Sequence, residues 1–152
     1  RGLGDVYKRQ DIIAVRVKKI FPDPVWKRRY KHVLDFESML AEEGTVIIKL
    51  FLNISKEEQK KRLESRLQDP DKLWKFCMDD LDDRNRWDEF QTAYQDLIEK
   101  TSTPEAPWYI IPADRKWYRN LVVARLMVEK LRHLQLSLPT PNFDPASIII
   151  PD

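Results

Sequence analysis

A nearly continuous apolar run, followed at once by the start of a helix, is the feature that most constrains the fold. Residues 45–54 read TVIIKLFLNI, interrupted by Lys49. Such a run is typical of a strand buried on both faces of a parallel sheet. Ser55 follows as a helix N-cap, and Glu58 three residues later completes a capping box. A buried strand that passes directly into a helix predicts an α/β fold with parallel strands.

The remaining apolar patterns extend this alternation of strands and helices. Further strands are predicted at residues 11–20 and 108–111, and helices at 25–43, 79–100 and 117–134. The helix after Ser55 should stop at Asp69-Pro70. Parallel sheets bind ligands at the carboxyl ends of their strands. Those ends, where we expect a site, are at Ile20, Ile54 and Pro112. In the last helix we expect four side chains to face inward: Leu121, Ala124, Val128 and Leu131.

Composition limits the classes of function. The chain has 152 residues, enough for one domain or part of a larger one, and 42% are hydrophobic, enough for a packed core. Its net charge of +2 implies no general attraction to nucleic acid, so any anion site must be local. The single cysteine, Cys77, excludes an internal disulfide and is expected to be partly buried. The apolar runs are far shorter than the ~20 residues of a membrane helix, so we expect a cytoplasmic protein with no membrane partner.

Five of the nine basic side chains between residues 55 and 87 suggest a polyanion-binding surface. Two arginines four residues apart share one face of a helix, lysines follow in a proline-broken loop, and a second helix adds another arginine. Cations spaced along a line suit phosphates rather than a single carboxylate. Ordinary solvated charges on amphipathic helices are the alternative interpretation. The five residues are Arg62, Arg66, Lys72, Lys75 and Arg84.

Other conspicuous side chains have simpler interpretations. Trp74 is predicted to be a packing anchor, with stacking on a base as the less favoured alternative, and Trp87 and Trp108 are assigned to the core. Lys49, inside an apolar run, must reach the sheet edge or meet an anion, which makes it a weak site candidate. The aspartates between residues 69 and 80 are interpreted as helix caps and not as metal ligands.

Several spaced motifs resemble the polyphosphate kinase 2 family. They are K-x-F-L-x-I-S-x-E-E-Q from Lys49, R-x-x-x-R-x-x-D-P-x-K-x-W-K from Arg62, and A-P-W-Y-x-I-P-A-D from Ala106, the last followed by a K/Y/R cluster with one extra residue before the tyrosine. The resemblance covers about residues 12–134. It implies a three-layer, P-loop-kinase-like parallel sheet with a helical lid. It also implies transfer of phosphoryl groups between inorganic polyphosphate and a nucleoside mono- or diphosphate.

The resemblance also implies roles for particular residues. Arg62 and Arg66 match lid arginines and are the expected catalytic residues, with Lys72, Lys75 and Arg84 binding substrate. Asp114 and Lys116 match the turn near which related kinases hold the nucleotide. The chain has three glycines, none in a phosphate-binding loop motif. The family's phosphate-binding loop and Mg²⁺ ligands are expected to lie before the first residue of this chain, so no metal ligand is assigned here.

These expectations divide the chain into three parts. Residues 1–10 are interpreted as a non-native end, residues 11–136 as the C-terminal part of a polyphosphate kinase 2 domain with its lid at about 62–87, and residues 137–152 as an extended tail. We expect a homo-oligomer at full length, and a fragment that is inactive and poorly stable alone. Two alternatives stay open, namely a non-catalytic polyanion-binding module and an ATP-dependent nucleotide kinase of similar fold.

Overall fold

The computed structural model describes residues 12–140, 142–144 and 148. The predicted non-native end and half of the predicted tail lie outside these residues. A 3₁₀ segment at Pro70–Lys75 follows the third helix. The other elements, in chain order, are α1 (Val15–Val17), α2 (Asp23–Glu42), β1 (Lys49–Asn53), α3 (Lys56–Gln68), α4 (Asp79–Asn85), α5 (Trp87–Thr101), β2 (Trp108–Pro112) and α6 (Lys116–His133).

The sheet confirms the predicted α/β class. Strands β1 and β2 pair in parallel, with the register running from Lys49 opposite Trp108 to Asn53 opposite Pro112. Helix α5 lies between the two strands in the chain, as a crossover between parallel strands requires. Burial on both faces holds for only part of β1, because Lys49 is buried whereas Leu52 is exposed.

The predicted strand at residues 11–20 is wrong, because residues 12–17 are helical and residues 18–20 form no strand. Residues 12–14 form a wide helical turn that leads into α1. Four of its apolar side chains are buried in the core, where they meet side chains of α2 and α5: Ile12, Ile13, Val15 and Val17. A β-branched run favours a strand locally, but packing against two helices overrides that preference. Ile20 is exposed and ends no strand.

The predicted helix at 79–100 is divided at Arg86 into α4 and α5. The Arg86 guanidinium donates to the Val17 carbonyl at 2.8 Å. Close by, Lys18 and Asp83 form an ion pair at 2.8 Å. These contacts join the end of α4 to α1. The break therefore lies where the predicted lid, at about residues 62–87, meets the core.

Helix α6 packs differently from the prediction. It contacts β2, yet none of its residues is buried. The side chains expected to face inward are all exposed: Leu121, Ala124, Val128 and Leu131. Apolar spacing predicts which face of a helix is apolar but not which element covers it. None of the described helices is both long enough and apolar enough to cross a bilayer.

Lys49 has an internal partner at the start of β1. Its ammonium lies 2.7 Å from a Glu37 carboxylate oxygen of α2 and also donates to the Thr101 carbonyl. The Trp108 ring centroid lies 5.5 Å from the same ammonium. Both charged side chains are buried. The anion that the sequence required is therefore a carboxylate of the chain itself, and Lys49 joins α2, α5 and the sheet.

The N-cap of α3 offers a test of local stability. The Ser55 hydroxyl accepts a hydrogen bond from the Glu58 N–H at 3.1 Å. Replacing Ser55 with alanine should lower the free energy of unfolding by about 1 kcal/mol, because one N–H at the helix start loses its partner. Urea denaturation measures the loss. Ser38→Ala, on an exposed turn within α2, is the control and should change stability little. Equal losses would contradict the cap.

Candidate functional site

A cleft lies at the carboxyl ends of the two strands, the edge at which the topology predicts a ligand. Its volume is about 590 Å³. It lies between the segments that follow β1 and β2 and the start of α5. Its lining residues are Asn53, Ile54, Ser55, Lys56, Glu57, Trp87, Gln91, Pro112, Ala113, Asp114, Arg115 and Tyr118.

Hydrogen bonds between α3 and the β2–α6 loop hold one side of this cleft. The Asp114 carboxylate accepts the Ser55 N–H at 2.8 Å. In return, the Arg62 guanidinium donates to the carbonyls of Ala113, at 2.8 Å, and Asp114, at 3.2 Å. The predicted capping box is therefore only half formed, because Asp114 takes the place of Glu58 at the Ser55 N–H. Glu58 instead binds Arg62 Nε at 2.7 Å.

These bonds give Arg62 a structural role that can be measured separately from catalysis. Arg62→Ala should lower the free energy of unfolding by about 1–2 kcal/mol, because two loop carbonyls and the Glu58 carboxylate lose a charged partner. Arg62→Lys should restore little, since a single ammonium lacks the planar fork by which Nε binds Glu58 while Nη2 binds both loop carbonyls. Urea denaturation measures both, with exposed Lys61→Ala as the control. Unchanged stability in Arg62→Ala would contradict the role.

The other predicted lid cations have partners within the chain. Arg66 Nη1 lies 3.4 Å from both the Lys75 carbonyl and an Asp80 carboxylate oxygen, which are long contacts. Lys72 pairs with Asp69, and this hydrogen bond holds the pKa of the Asp69 carboxyl below its ordinary value. Arg84 donates to the Lys56 carbonyl at 2.7 Å and to Gln59 at 3.0 Å. A polyanion would have to displace or share these partners, and the hydrogen bonds of Arg66 are the longest of the three sets.

Two predictions about the lid segment are wrong. Trp74 is 79% exposed and packs on no core, although its indole N–H donates to the Asp71 carbonyl at 3.0 Å and the Lys75 ammonium lies 5.0 Å from its ring. Cys77 is exposed rather than partly buried. Trp74 lies in the 3₁₀ segment and Cys77 lies just after it. None of the six residues of this segment, all of which the structure describes, is buried. An aromatic residue inside a plausible helix predicts a core position only when another element covers it.

The acidic residues of this region act as caps and ion-pair partners. The Asp69 carboxylate accepts the Asp71 N–H at 3.1 Å and caps the 3₁₀ segment, as predicted. Asp80 faces Arg66, and Asp79 begins α4. Within residues 12–140, 142–144 and 148, no three His, Cys, Asp or Glu side chains come together in a way that could hold a metal ion.

The predicted site residues do not form a single cluster. Asp114 lines the cleft and Arg62 binds its rim, whereas Arg66, Lys72 and Lys75 lie toward the other end of α3. Lys116 is exposed at the start of α6 and does not line the cleft. Sequence reasoning missed five lining residues with side chains suited to ligand contact: Lys56, Trp87, Gln91, Arg115 and Tyr118.

Two of these five lining residues could have been predicted from their positions in the sequence. Lys56 and Arg115 follow shortly after the two strand ends. Because parallel sheets bind ligands at those ends, the sequence already indicated these two residues as site candidates. Trp87 and Gln91 carried no such signal. They line the cleft from the first turns of α5, which begins directly after the break at Arg86.

Comparison with known proteins identifies the family. A family model described as polyphosphate kinase 2 matches residues 5–138. The chain belongs to the polyphosphate kinase 2 family. The crystal structure of polyphosphate kinase 2 from Arthrobacter aurescens TC1 is 46% identical and superposes with a TM-score of 0.86, covering 91% of this chain and 49% of that one. The α/β fold is therefore the fold of this family.

Two similar relatives carry names that describe an activity. An AMP/ADP-polyphosphate phosphotransferase from Meiothermus ruber is 50% identical over 141 residues, which are 93% of this chain and 53% of the relative. An ADP-polyphosphate phosphotransferase from Rhodopseudomonas palustris is 39% identical, covering 91% of this chain and 53% of the relative. The chain thus spans about half the length of these members of the polyphosphate kinase 2 family.

Proposed function

We propose that the protein carrying this chain transfers phosphoryl groups between inorganic polyphosphate and a nucleoside mono- or diphosphate. Membership of the polyphosphate kinase 2 family, with half of all positions identical to an AMP/ADP-polyphosphate phosphotransferase, is the observation that carries this proposal. Because the chain spans about half of that relative, the activity is proposed for the longer protein. The chain supplies the lid segment (residues 62–87) and one edge of the sheet.

The chemistry assigned to the lid follows from what phosphoryl transfer demands. The reaction needs in-line positioning and neutralisation of charge on the transferred group, with little covalent participation by the protein. We assign phosphate contact in the transition state to Arg62 and Arg66. Arg66 is the better supported of the two, since its internal contacts are long and its side chain is partly exposed. Arg62 must share a guanidinium already bound to the β2–α6 loop.

Three further cations are assigned to substrate binding in the lid. Lys72, Lys75 and Arg84 would hold the polyphosphate chain, each exchanging or sharing its present partner. Closing of the lid over the chain would exclude water that would otherwise hydrolyse the donor. Asp114 and Lys116 are assigned to the nucleotide side of the reaction.

Mg²⁺ is the proposed cofactor of the longer protein. When bound, it would neutralise charge on the phosphates. The described residues contain no cluster able to hold it, so no step is assigned to a metal held by this chain. A homo-oligomer and a cytoplasmic location stay predictions.

A coupled assay on the full-length protein tests the proposal. Polyphosphate and Mg²⁺ are offered with AMP, ADP, GMP or GDP in turn, and formation of the next higher phosphate is measured. Product formation would support the transferase and identify its acceptor. Tight polyphosphate binding without transfer would instead favour a polyanion-binding module. Transfer from ATP but not from polyphosphate would favour an ATP-dependent nucleotide kinase.

A further inference from the structure

We infer that Gln59 is a positioning residue that holds Arg84 in place for phosphate binding without neutralising its charge. This inference rests on the proposed function, which assigns Arg84 to polyphosphate binding and gives Gln59 no role. Gln59 is the last residue of the motif that starts at Lys49. The evidence is the set of atoms that hold the Arg84 side chain, the atoms that they leave free, and the charge of each partner.

Two hydrogen bonds fix one nitrogen of the Arg84 guanidinium. Arg84 Nη1 donates to the Lys56 carbonyl at 2.7 Å and to the Gln59 side-chain oxygen at 3.0 Å. Both acceptors belong to the first turn of α3, whereas Arg84 lies on α4. The Gln59 N–H donates in turn to the Ser55 carbonyl at 3.0 Å. Gln59 is therefore held at the start of α3, close to the end of β1, and from there it orients an arginine of a different helix.

The donors of Arg84 that remain free are those that suit a phosphate. A guanidinium has five N–H donors, of which Nη1 carries two. Within the part of the chain that the structure describes, the N–H groups on Nε and Nη2 of Arg84 make no hydrogen bond. Nε and Nη2 share one edge of the planar group, and such an edge can bind two phosphate oxygens side by side. Arg62, by contrast, already uses Nε and Nη2 for Glu58 and the β2–α6 loop.

The partners of Arg84 also leave its positive charge uncompensated. A carbonyl oxygen and a carboxamide oxygen accept hydrogen bonds but carry no net charge. Among the described residues, no carboxylate forms an ion pair with Arg84, whereas Asp80 faces Arg66. A phosphate that binds Arg84 therefore has no carboxylate to displace. The substitution Gln59→Glu would keep the hydrogen bond but would add a carboxylate that competes with phosphate.

The substitution Gln59→Glu separates positioning from a merely structural role, because it should affect stability and phosphate binding differently. It keeps an oxygen that accepts from Arg84 and adds an attractive charge, so the free energy of unfolding in urea should stay the same or rise. The affinity of the full-length protein for inorganic tripolyphosphate should fall about fivefold or more, because the new carboxylate competes for Arg84. Calorimetric titration measures this affinity. Gln59→Ala removes the orienting bond without adding a charge, and should weaken binding about twofold to threefold because Arg84 becomes less ordered.

Gln95→Glu is the matched control for the added charge. Gln95 is exposed on α5, where its amide donates to Glu99 at 2.9 Å. This variant should leave tripolyphosphate affinity within about twofold of wild type, because salt screens an exposed charge that lies away from the ligand. A second control introduces Gln59→Glu together with Arg84→Ala. There it should lower affinity less than it does in the wild-type protein, since the two residues act through one contact.

The possible outcomes distinguish this inference from the proposed function. Retained stability and weakened tripolyphosphate binding in Gln59→Glu, with ADP affinity unchanged, would support the positioning role. Unchanged tripolyphosphate affinity, a loss equal to that of Gln95→Glu, or the same loss in the Arg84→Ala background would overturn it. If Gln59→Glu does not fold, wild-type affinity in Gln59→Ala would overturn it instead. Absence of transfer in the coupled assay, with Gln59-dependent tripolyphosphate binding retained, would refute the phosphotransferase but not the positioning role.

Discussion

Replacing Arg66 with alanine in the full-length protein is expected to lower turnover with polyphosphate more than tenfold. A guanidinium that meets the charge developing on a transferred phosphoryl group contributes mainly in the transition state, so kcat should fall more than substrate binding weakens. The structure favours Arg66 for this role because its contacts to Asp80 and the Lys75 carbonyl are both 3.4 Å long. Steady-state kinetics with polyphosphate and ADP provide the measurement.

Glu64→Ala is the matched control for this prediction. Glu64 lies on the same helix, is more than half exposed and faces Lys60 across 3.8 Å. An exposed pair of this kind contributes little to stability, so its loss should leave turnover within about twofold. Equal reductions in the two variants would show that the lid segment responds to any loss of side chain, and the role assigned to Arg66 would fail.

Replacing Glu37 with alanine is expected to cost about 3–5 kcal/mol of stability, because it would remove a carboxylate that pairs with the buried Lys49 ammonium. The pair lies 2.7 Å apart, and both side chains are almost fully excluded from solvent. The Thr101 carbonyl, which also accepts from Lys49, cannot neutralise the charge. Urea or thermal denaturation measures the loss.

A second ion pair on α2 provides the control. Lys31 and Asp35 are 2.6 Å apart but exposed, so Asp35→Ala should cost well under about 1 kcal/mol. A double variant, Glu37→Leu with Lys49→Met, should recover most of the stability that Glu37→Ala loses, since apolar side chains of similar size often replace a buried pair at little cost. Similar losses in Glu37→Ala and Asp35→Ala would contradict the buried pair.

Local chemistry made some elements predictable. Ser55 after an apolar run specified both the end of β1 and the start of α3, and Pro70 specified where α3 stops. The motifs starting at Lys49 and Arg62 carried the family resemblance, which the comparisons confirm. The helix start at Ser55 and the helix end before Pro70 depend on hydrogen bonds or steric limits within a few residues.

Residue pattern alone misassigned segments whose environment is formed by distant parts of the chain. The run at residues 11–20 has strand-like composition, but residues 12–17 are helical and bury four apolar side chains against α2 and α5. Trp74 has the spacing of a core residue, yet no described element covers it. Burial depends on what lies opposite a side chain, and that depends on the whole arrangement.

The candidate site likewise has features that the sequence predicts and contacts that only the tertiary structure shows. Sequence by itself predicted strands that end at Ile54 and Pro112, close to the observed ends at Asn53 and Pro112, a ligand site at that edge, and cations along α3 and the predicted lid. Only the tertiary structure decided that Arg62 binds the β2–α6 loop, that Lys49 pairs with Glu37, and that Trp87 joins Tyr118 around one cleft. Those contacts join residues 12 to 51 positions apart in the chain, and no local pattern encodes such a pairing.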